Sequence, residues 1–287
     1  MMKKIYVLFS IFICFCMTGC IKRDSMEDIN IYTSVYPVEY FTYRLYGEHS
    51  TITSIYPDGV LTRLYSLNEK QIKDYSKADL FVFNGLSEEK DYLTDMLKEN
   101  NKLKIIDATL SMEYTNYQEE LWFDPSNALM LARNIRTGLN EYINNHYLKA
   151  EIDKNYEALK IDLSTLSAKL NVISSSCADP TVVVSSDIFK FLENYGFNVI
   201  SLDENSVTDK IVYEVKRKIA NGEVGHIFVI ENEDMGPTLK SIIDETNVPT
   251  LKFHDLSSLS DSERNSKKDY VSLSFENINL LKQELYR

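Results

Sequence analysis

The chain has 287 residues, 44% of them hydrophobic and 26% charged, which is room for one large or two ordinary domains and excludes wholesale disorder. Lysine and arginine number 31 against 43 aspartate and glutamate, a formal net charge of −12, so the surface repels nucleic acid and anionic lipid headgroups. Glycine is scarce at 9 residues, and no Gly-rich phosphate cradle of either common spacing occurs, which sets nucleotide binding aside.

Lys3 and Lys4 form a short positive start, and residues 5–17 are a nearly continuous apolar run. That run is shorter than the about twenty residues a membrane-spanning helix needs, but it suits the core of a secretory signal. It ends in Met17-Thr18-Gly19-Cys20, which resembles the lipobox of bacterial lipoproteins. There the signal is cut before the cysteine, whose sulfur carries a diacylglycerol. Two acyl chains anchor stably where one does not. The expectation is a signal peptide over residues 1–19, lipidation of Cys20, and a solvated tether over 20–28. Loss of Lys3 and Lys4 leaves 29 basic against 43 acidic residues, a mature charge of −14, and Cys177 as the one free thiol, so no intramolecular disulfide can form.

Residues 29–145 alternate between strand and helix patterns. Residues 29–35 are β-branched and aromatic, and Pro37 suits the first turn of a helix over 37–47. A second strand over 52–56 closes at Pro57-Asp58-Gly59, a strong turn signal. The apolar runs 78–83 and 103–106 read as strands buried on both faces, with helices over 68–76 and 88–99. Asp124-Pro125 reads as an N-cap followed by proline at the first helical position. After a polar break at Asn144-Asn145-His146, Ile152, Tyr156, Leu159, Leu163, Leu166, Leu170 and Ile173 recur at spacings of four and three. Such a stripe suits a coiled coil or, the preferred reading, one helix of roughly 40 Å laid along two lobes.

The same rhythm resumes at Pro180, with strands over 181–185, 199–202, 226–230 and 250–253. Helices follow over 188–195, ended by Gly196, 208–221, 236–246 and 275–285, and residues 256–268 read as a loop. The expected fold is α/β: two βα lobes (29–145 and 178–287), each with a parallel four-stranded sheet, joined by one long backbone helix over 147–176. Ligands of open α/β sheets bind outside the carboxyl ends of the strands, so the inter-lobe cleft is the default site.

The strings INIYTSVYPVEYF, SIYPDGV, KADLFVFNG, LWFDP, VVVSSDIFKFLENYGF and HIFVIENE, in this order, resemble the zinc- and manganese-binding solute receptors of bacterial ABC importers. The likeness covers nearly the whole mature chain. It implies a lipid-anchored protein on the outer face of a cell membrane that serves a permease and its ATPase. The resemblance also implies four cleft positions, and here the chain departs from the family. Arg63 stands where a histidine follows the Pro-Gly turn, and Glu120 where a histidine precedes the tryptophan. Ser186-Asp187 stands where a histidine or glutamate precedes the first helix of the second lobe; only Asp255 matches the family aspartate. The family's His-rich acidic loop is also missing.

Guanidinium is always charged and has no lone pair to donate, so the implied cleft set Arg63, Glu120, Ser186 and Asp255 reads as a degenerate metal site. Glu120, Asp255 and His254 remain as residual donors, and zinc or manganese binds only if they suffice. Two alternatives stay open for the cleft. Arg63 pairs with Glu120 and holds the cleft shut, or Arg63 grips a solute carboxylate while Glu120 or Asp255 takes its amine. The solute is unspecified.

His49 and His146 read as surface residues, His226 as structural, and Cys177 as inert packing. Ser87-Glu88-Glu89-Lys90 matches Ser-x-x-Lys only formally, and no enzyme motif is present. Nineteen tyrosines suit a partly wet aromatic surface or a ligand cleft. The alternative to a solute receptor is an adhesin-like surface lipoprotein that keeps the fold without binding a solute.

Overall fold

The computed structural model of the protein describes residues 23–60, 62–113 and 120–287, with Arg63 by its backbone alone. The expected signal peptide, Cys20 and the Arg63 side chain lie outside the described residues.

Two parallel four-stranded sheets form as expected. The first runs β2-β1-β3-β4, with β1 Ile29–Thr33, β2 Ser50–Ser54, β3 Leu80–Phe83 and β4 Lys104–Asp107. The second runs β6-β5-β7-β8, with β5 Thr181–Val184, β6 Asn198–Ser201, β7 Ile227–Ile230 and β8 Thr250–Phe253. Every residue of β3, β5 and β7 is buried, because helices cover both faces of a parallel sheet. In each sheet the order reverses between a central pair, β1/β3 and β5/β7, leaving a crevice at their carboxyl ends.

The N-terminal lobe carries α1 Tyr36–Tyr46, α2 Glu69–Tyr75, α3 Glu89–Glu99 and α4 Pro125–Tyr142. Asp124 caps α4 by accepting from Ser126 N at 2.8 Å, with Pro125 in the first turn. The backbone helix α5, His146–Ser176, has 31 residues, roughly 46 Å at 1.5 Å per residue. Its stripe from Ile152 to Ile173 is buried against α1, α4 and the last helix of the second lobe. The stripe thus serves an intramolecular seam, and one apolar cluster runs from Met26 to Leu281 through both lobes. The second lobe adds α6 Asp209–Ala220, α7 Pro237–Thr246, α8 Asp261–Asn265 and α9 Tyr270–Leu285. Gly196, at φ 84°, ends the segment before β6, a left-handed position that glycine takes without strain.

Four local expectations are corrected. Residues 256–268 are not all loop: Ser260 and Glu263 form a capping box that starts α8, since each satisfies a backbone donor that the other leaves free. Asp269 and Ser272 do the same for α9, which begins at Tyr270, earlier than periodicity indicated. The segment Asp187–Tyr195 is a 3-10 rather than an α-helix. The tether is not solvated throughout its described residues. Met26 is fully buried, and Asp24 accepts from the backbone N–H of Met26, Asn144 and Asn145 at 3.0, 2.8 and 2.7 Å. One carboxylate there satisfies three donors that lie outside any ladder.

Candidate inter-lobe site

The lobes meet through named contacts at the cleft floor. Trp122 Nε1 donates to the Asp255 carbonyl at 3.1 Å, and the Tyr270 hydroxyl donates to the Trp122 carbonyl. Tyr195 donates to Asp124 Oδ1 at 2.5 Å, so the cap of α4 is shared with the second lobe. At the rim, Gly59 N donates to Leu259 O at 2.8 Å and Ser258 Oγ to Val60 O at 3.1 Å. The turn after β2 is thereby tied to the loop after β8.

Between the lobes lies a small gap of about 30 Å³, lined by Thr62, Glu120, Phe123, Glu233 and Asp255 among others. The structure therefore brings Glu120 and Asp255 together, beside the 3-10 segment Thr62–Leu64 that carries the Arg63 backbone. It does not bring Ser186, Asp187 or His254 to that gap. Ser186 is an N-cap, accepting from Ile188 N at 3.4 Å, and it lines a separate C-lobe cavity of about 200 Å³ with Asp203 and Glu204. Asp187 is only 4% exposed and pairs with Lys190 Nζ at 2.7 Å. It faces a groove of about 240 Å³ that also touches Glu120 and Asp124.

His254 is committed on both ring nitrogens. Nδ1 accepts from Leu256 N at 2.9 Å, which leaves the proton on Nε2 to meet Glu263 Oε1 at 3.1 Å. No lone pair then remains for a metal. Burial pushes the Glu263 carboxyl up, but bonds from Ser260 and the nearby His254 outweigh it and hold the group below its ordinary value. Asp255 spends Oδ1 on Ser257 N at 3.0 Å and Oδ2 on Ser257 Oγ at 2.9 Å, so its carboxylate first of all closes a turn. Among the described residues, no three His, Cys, Asp or Glu side chains gather to hold a metal ion, and no helix is long and apolar enough to cross a membrane.

Sequence reasoning missed Thr62 and Glu233 in the gap, and a larger cavity of about 220 Å³ in the N-terminal lobe, walled by Tyr56, Tyr65, Tyr92 and Trp122 with Glu88 and Glu89. Their signal was present, since these residues follow the carboxyl ends of β2, β3, β4 and β7, the sheet ends outside which ligands bind.

The chain is 22% identical over 310 residues to the zinc-binding lipoprotein AdcA of Streptococcus pneumoniae, covering 98% of this chain and 61% of that protein. It thus spans about three-fifths of the length of the curated relatives it matches first. A metal ABC transporter substrate-binding lipoprotein of Lactococcus lactis is 24% identical over 261 residues, covering 81% of this chain and 82% of the relative. The crystal structure of the Zn(II)-bound ZnuA-like domain of Streptococcus pneumoniae AdcA has the same fold, with a TM-score of 0.74 at 21% identity, covering 91% of this chain and all of that one. The sequence profile of the periplasmic component A of the zinc-uptake complex, ZnuA, matches residues 31–284, and the chain belongs to that family.

Proposed function

We propose that the protein is the lipid-anchored, extracytoplasmic solute receptor of an ABC importer, whose cleft no longer gathers a transition metal at the family's ligand positions. The observation that carries this reading is the commitment of His254, the one histidine near the cleft, to Leu256 and Glu263. Glu120 and Asp255 are then the residual donors, two where zinc takes three or four. Arg63 adds a fixed positive charge on the segment whose Thr62 lines the gap. Two unit charges 4 Å apart interact by about 4 kcal/mol at an effective dielectric near 20, and a dication feels about twice that. The charge of Arg63 therefore opposes a bound dication. The permease, its ATPase and the bilayer holding Cys20 are the partners, and no catalytic step is assigned.

The test is metal content and thermal shift on the mature chain carrying Cys20→Ser, purified without chelator. Substoichiometric metal and a Tm unmoved by zinc or manganese are expected. Tight one-to-one metal, with a Tm that rises by mass action, overturns the reading.

A second reading is a surface interaction lipoprotein without a solute. It is favoured by the inter-lobe contacts of Arg264 with Asp58 and Glu39, which join the lobes through the protein's own side chains. Lobes that close further on adding a solute, seen as a fall in radius of gyration, would exclude it.

A further inference from the structure

The N-terminal lobe holds its cavity of about 220 Å³ at the crevice where the chain turns to β2 on one side of β1 and to β3 on the other. That is far more room than a metal coordinated at about 2 Å requires. Four aromatic residues, Tyr56, Tyr65, Tyr92 and Trp122, form part of its wall. Tyr56 and Tyr65 meet edge to face at 6.0 Å and 83°. The Tyr65 hydroxyl accepts from Gln71 Nε2 at 2.7 Å, and the Tyr92 hydroxyl accepts from Leu67 N at 3.3 Å. The ring orientations are therefore set before any ligand arrives.

Glu88, the buried Glu89 and Glu120 add three carboxylates to the lining, which also includes Thr62, more negative charge than the one cation of the neighbouring Arg63 offsets. Ring faces and carboxylates both repel an anion and both attract a cation. The groove that shares Glu120 with this cavity is lined by Asp124, Asp187 and Glu193 against the single cation Lys190, so the local field favours cations. A cation with N–H groups can also meet a carboxylate in a charge-assisted hydrogen bond.

We propose that this tyrosine-walled cavity binds an organic cation bearing a primary ammonium or guanidinium group, and that such cations are the solute class of the receptor. The inference rests on the solute-receptor reading above.

Trp122 is the only tryptophan in the sequence and lines the cavity, so its emission reports directly on occupancy. The mature Cys20→Ser chain is titrated with agmatine, and with 1-butanol and glutarate as neutral and anionic controls, with calorimetry in parallel. Agmatine is expected to give a saturable change that both controls lack. Glu88→Gln and Tyr65→Leu should each weaken it at least tenfold, while Asp203→Asn in the C-lobe cavity leaves it unchanged. Glu89 accepts from Asn84 N at 3.2 Å and its loss can disturb the fold, so the Glu88 and Tyr65 variants, checked for native Tm, decide the outcome. A flat agmatine titration into the millimolar range, or an affinity unmoved by both variants, overturns the assignment. Stoichiometric zinc in the same chelator-free protein instead overturns the reading that the cleft has lost its metal, so the two failures are distinguishable.

Discussion

Arg264 of α8 grips Asp58 of the turn after β2, joining the second lobe to the first through two hydrogen bonds, one of them Nη2 to Oδ1 at 2.7 Å. The same guanidinium reaches Glu39 Oε2 at 3.2 Å and lies 5.6 Å from the centre of the Tyr36 ring. The bonds to Asp58 hold Arg264 well above the ordinary arginine range, while burial pushes the Glu39 carboxyl up against the pull of Arg264. With Arg264 38% exposed, solvent screens much of the attraction. Arg264→Ala is therefore expected to cost about 1 kcal/mol, mostly as mobility of the turn after β2. Hydrogen exchange at residues 57–60 should accelerate. Unchanged protection there would mean that the clasp does not hold the lobes together.

Asp24 anchors the start of the described chain. Burial raises its pKa, but the backbone bonds from Met26, Asn144 and Asn145 outweigh burial and leave it below the usual carboxylate value. A depressed folded pKa gives stability that is present above the unfolded pKa and lost as pH falls through the folded one. Asp24→Asn should destabilise by about 1–3 kcal/mol at pH 7. The Tm gap between the variant and wild type should narrow as pH falls below about 4. A constant gap from pH 7 to pH 3 would contradict this.

Tyr195 titrates in the opposite sense. Burial, then the bond to Asp124, push its hydroxyl up to about 12. Stability tied to it is complete below the ordinary tyrosine value and is lost as pH rises through the folded one. Tyr195→Phe removes the donor at the α4 cap and should cost about 1–2 kcal/mol at pH 7. In alkaline melts between pH 10 and 12 the variant should lose Tm less steeply than wild type.

The backbone helix separates its faces. Leu163 is fully buried and Ile161 is 67% exposed. Leu163→Ala should cost about 2–5 kcal/mol through lost burial and a cavity, and Ile161→Ala within about 0.5 kcal/mol of nothing. Urea melts with an unchanged m-value would read the difference. Similar costs at both sites would mean that the exposed face packs against something in solution.

Arg63→His restores the family residue and removes the fixed cation. It is expected to raise zinc affinity at least tenfold over wild type, equivalent to about 1.4 kcal/mol, without reaching that of a complete site, because Ser186 is still used as an N-cap. Calorimetry on the two proteins side by side decides it. An identical zinc response would show that Arg63 does not govern the cleft.

The alternation of apolar runs with capped helices determined the two parallel sheets, and the four-three stripe from Ile152 to Ile173 determined the long helix. Both follow from periodicity within a short stretch of chain, which the residues carry by themselves. The strings around Trp122 and Gly59 pointed to the family, and residue identity alone showed that Arg63 cannot ligate a metal. Tertiary structure decided the rest. His254 and Asp255 are neighbours in sequence, yet one is spent on Glu263 and the other lines the gap. Asp24 looked solvated until distant backbone donors at Asn144 and Asn145 met it. The tyrosine cavity gathers Tyr56 and Tyr65 from the connection after β2, Tyr92 from α3 and Trp122 from the segment before α4. Partners that far apart along the chain leave no local pattern, because a hydrogen bond or a cavity wall depends on where folding brings the second group.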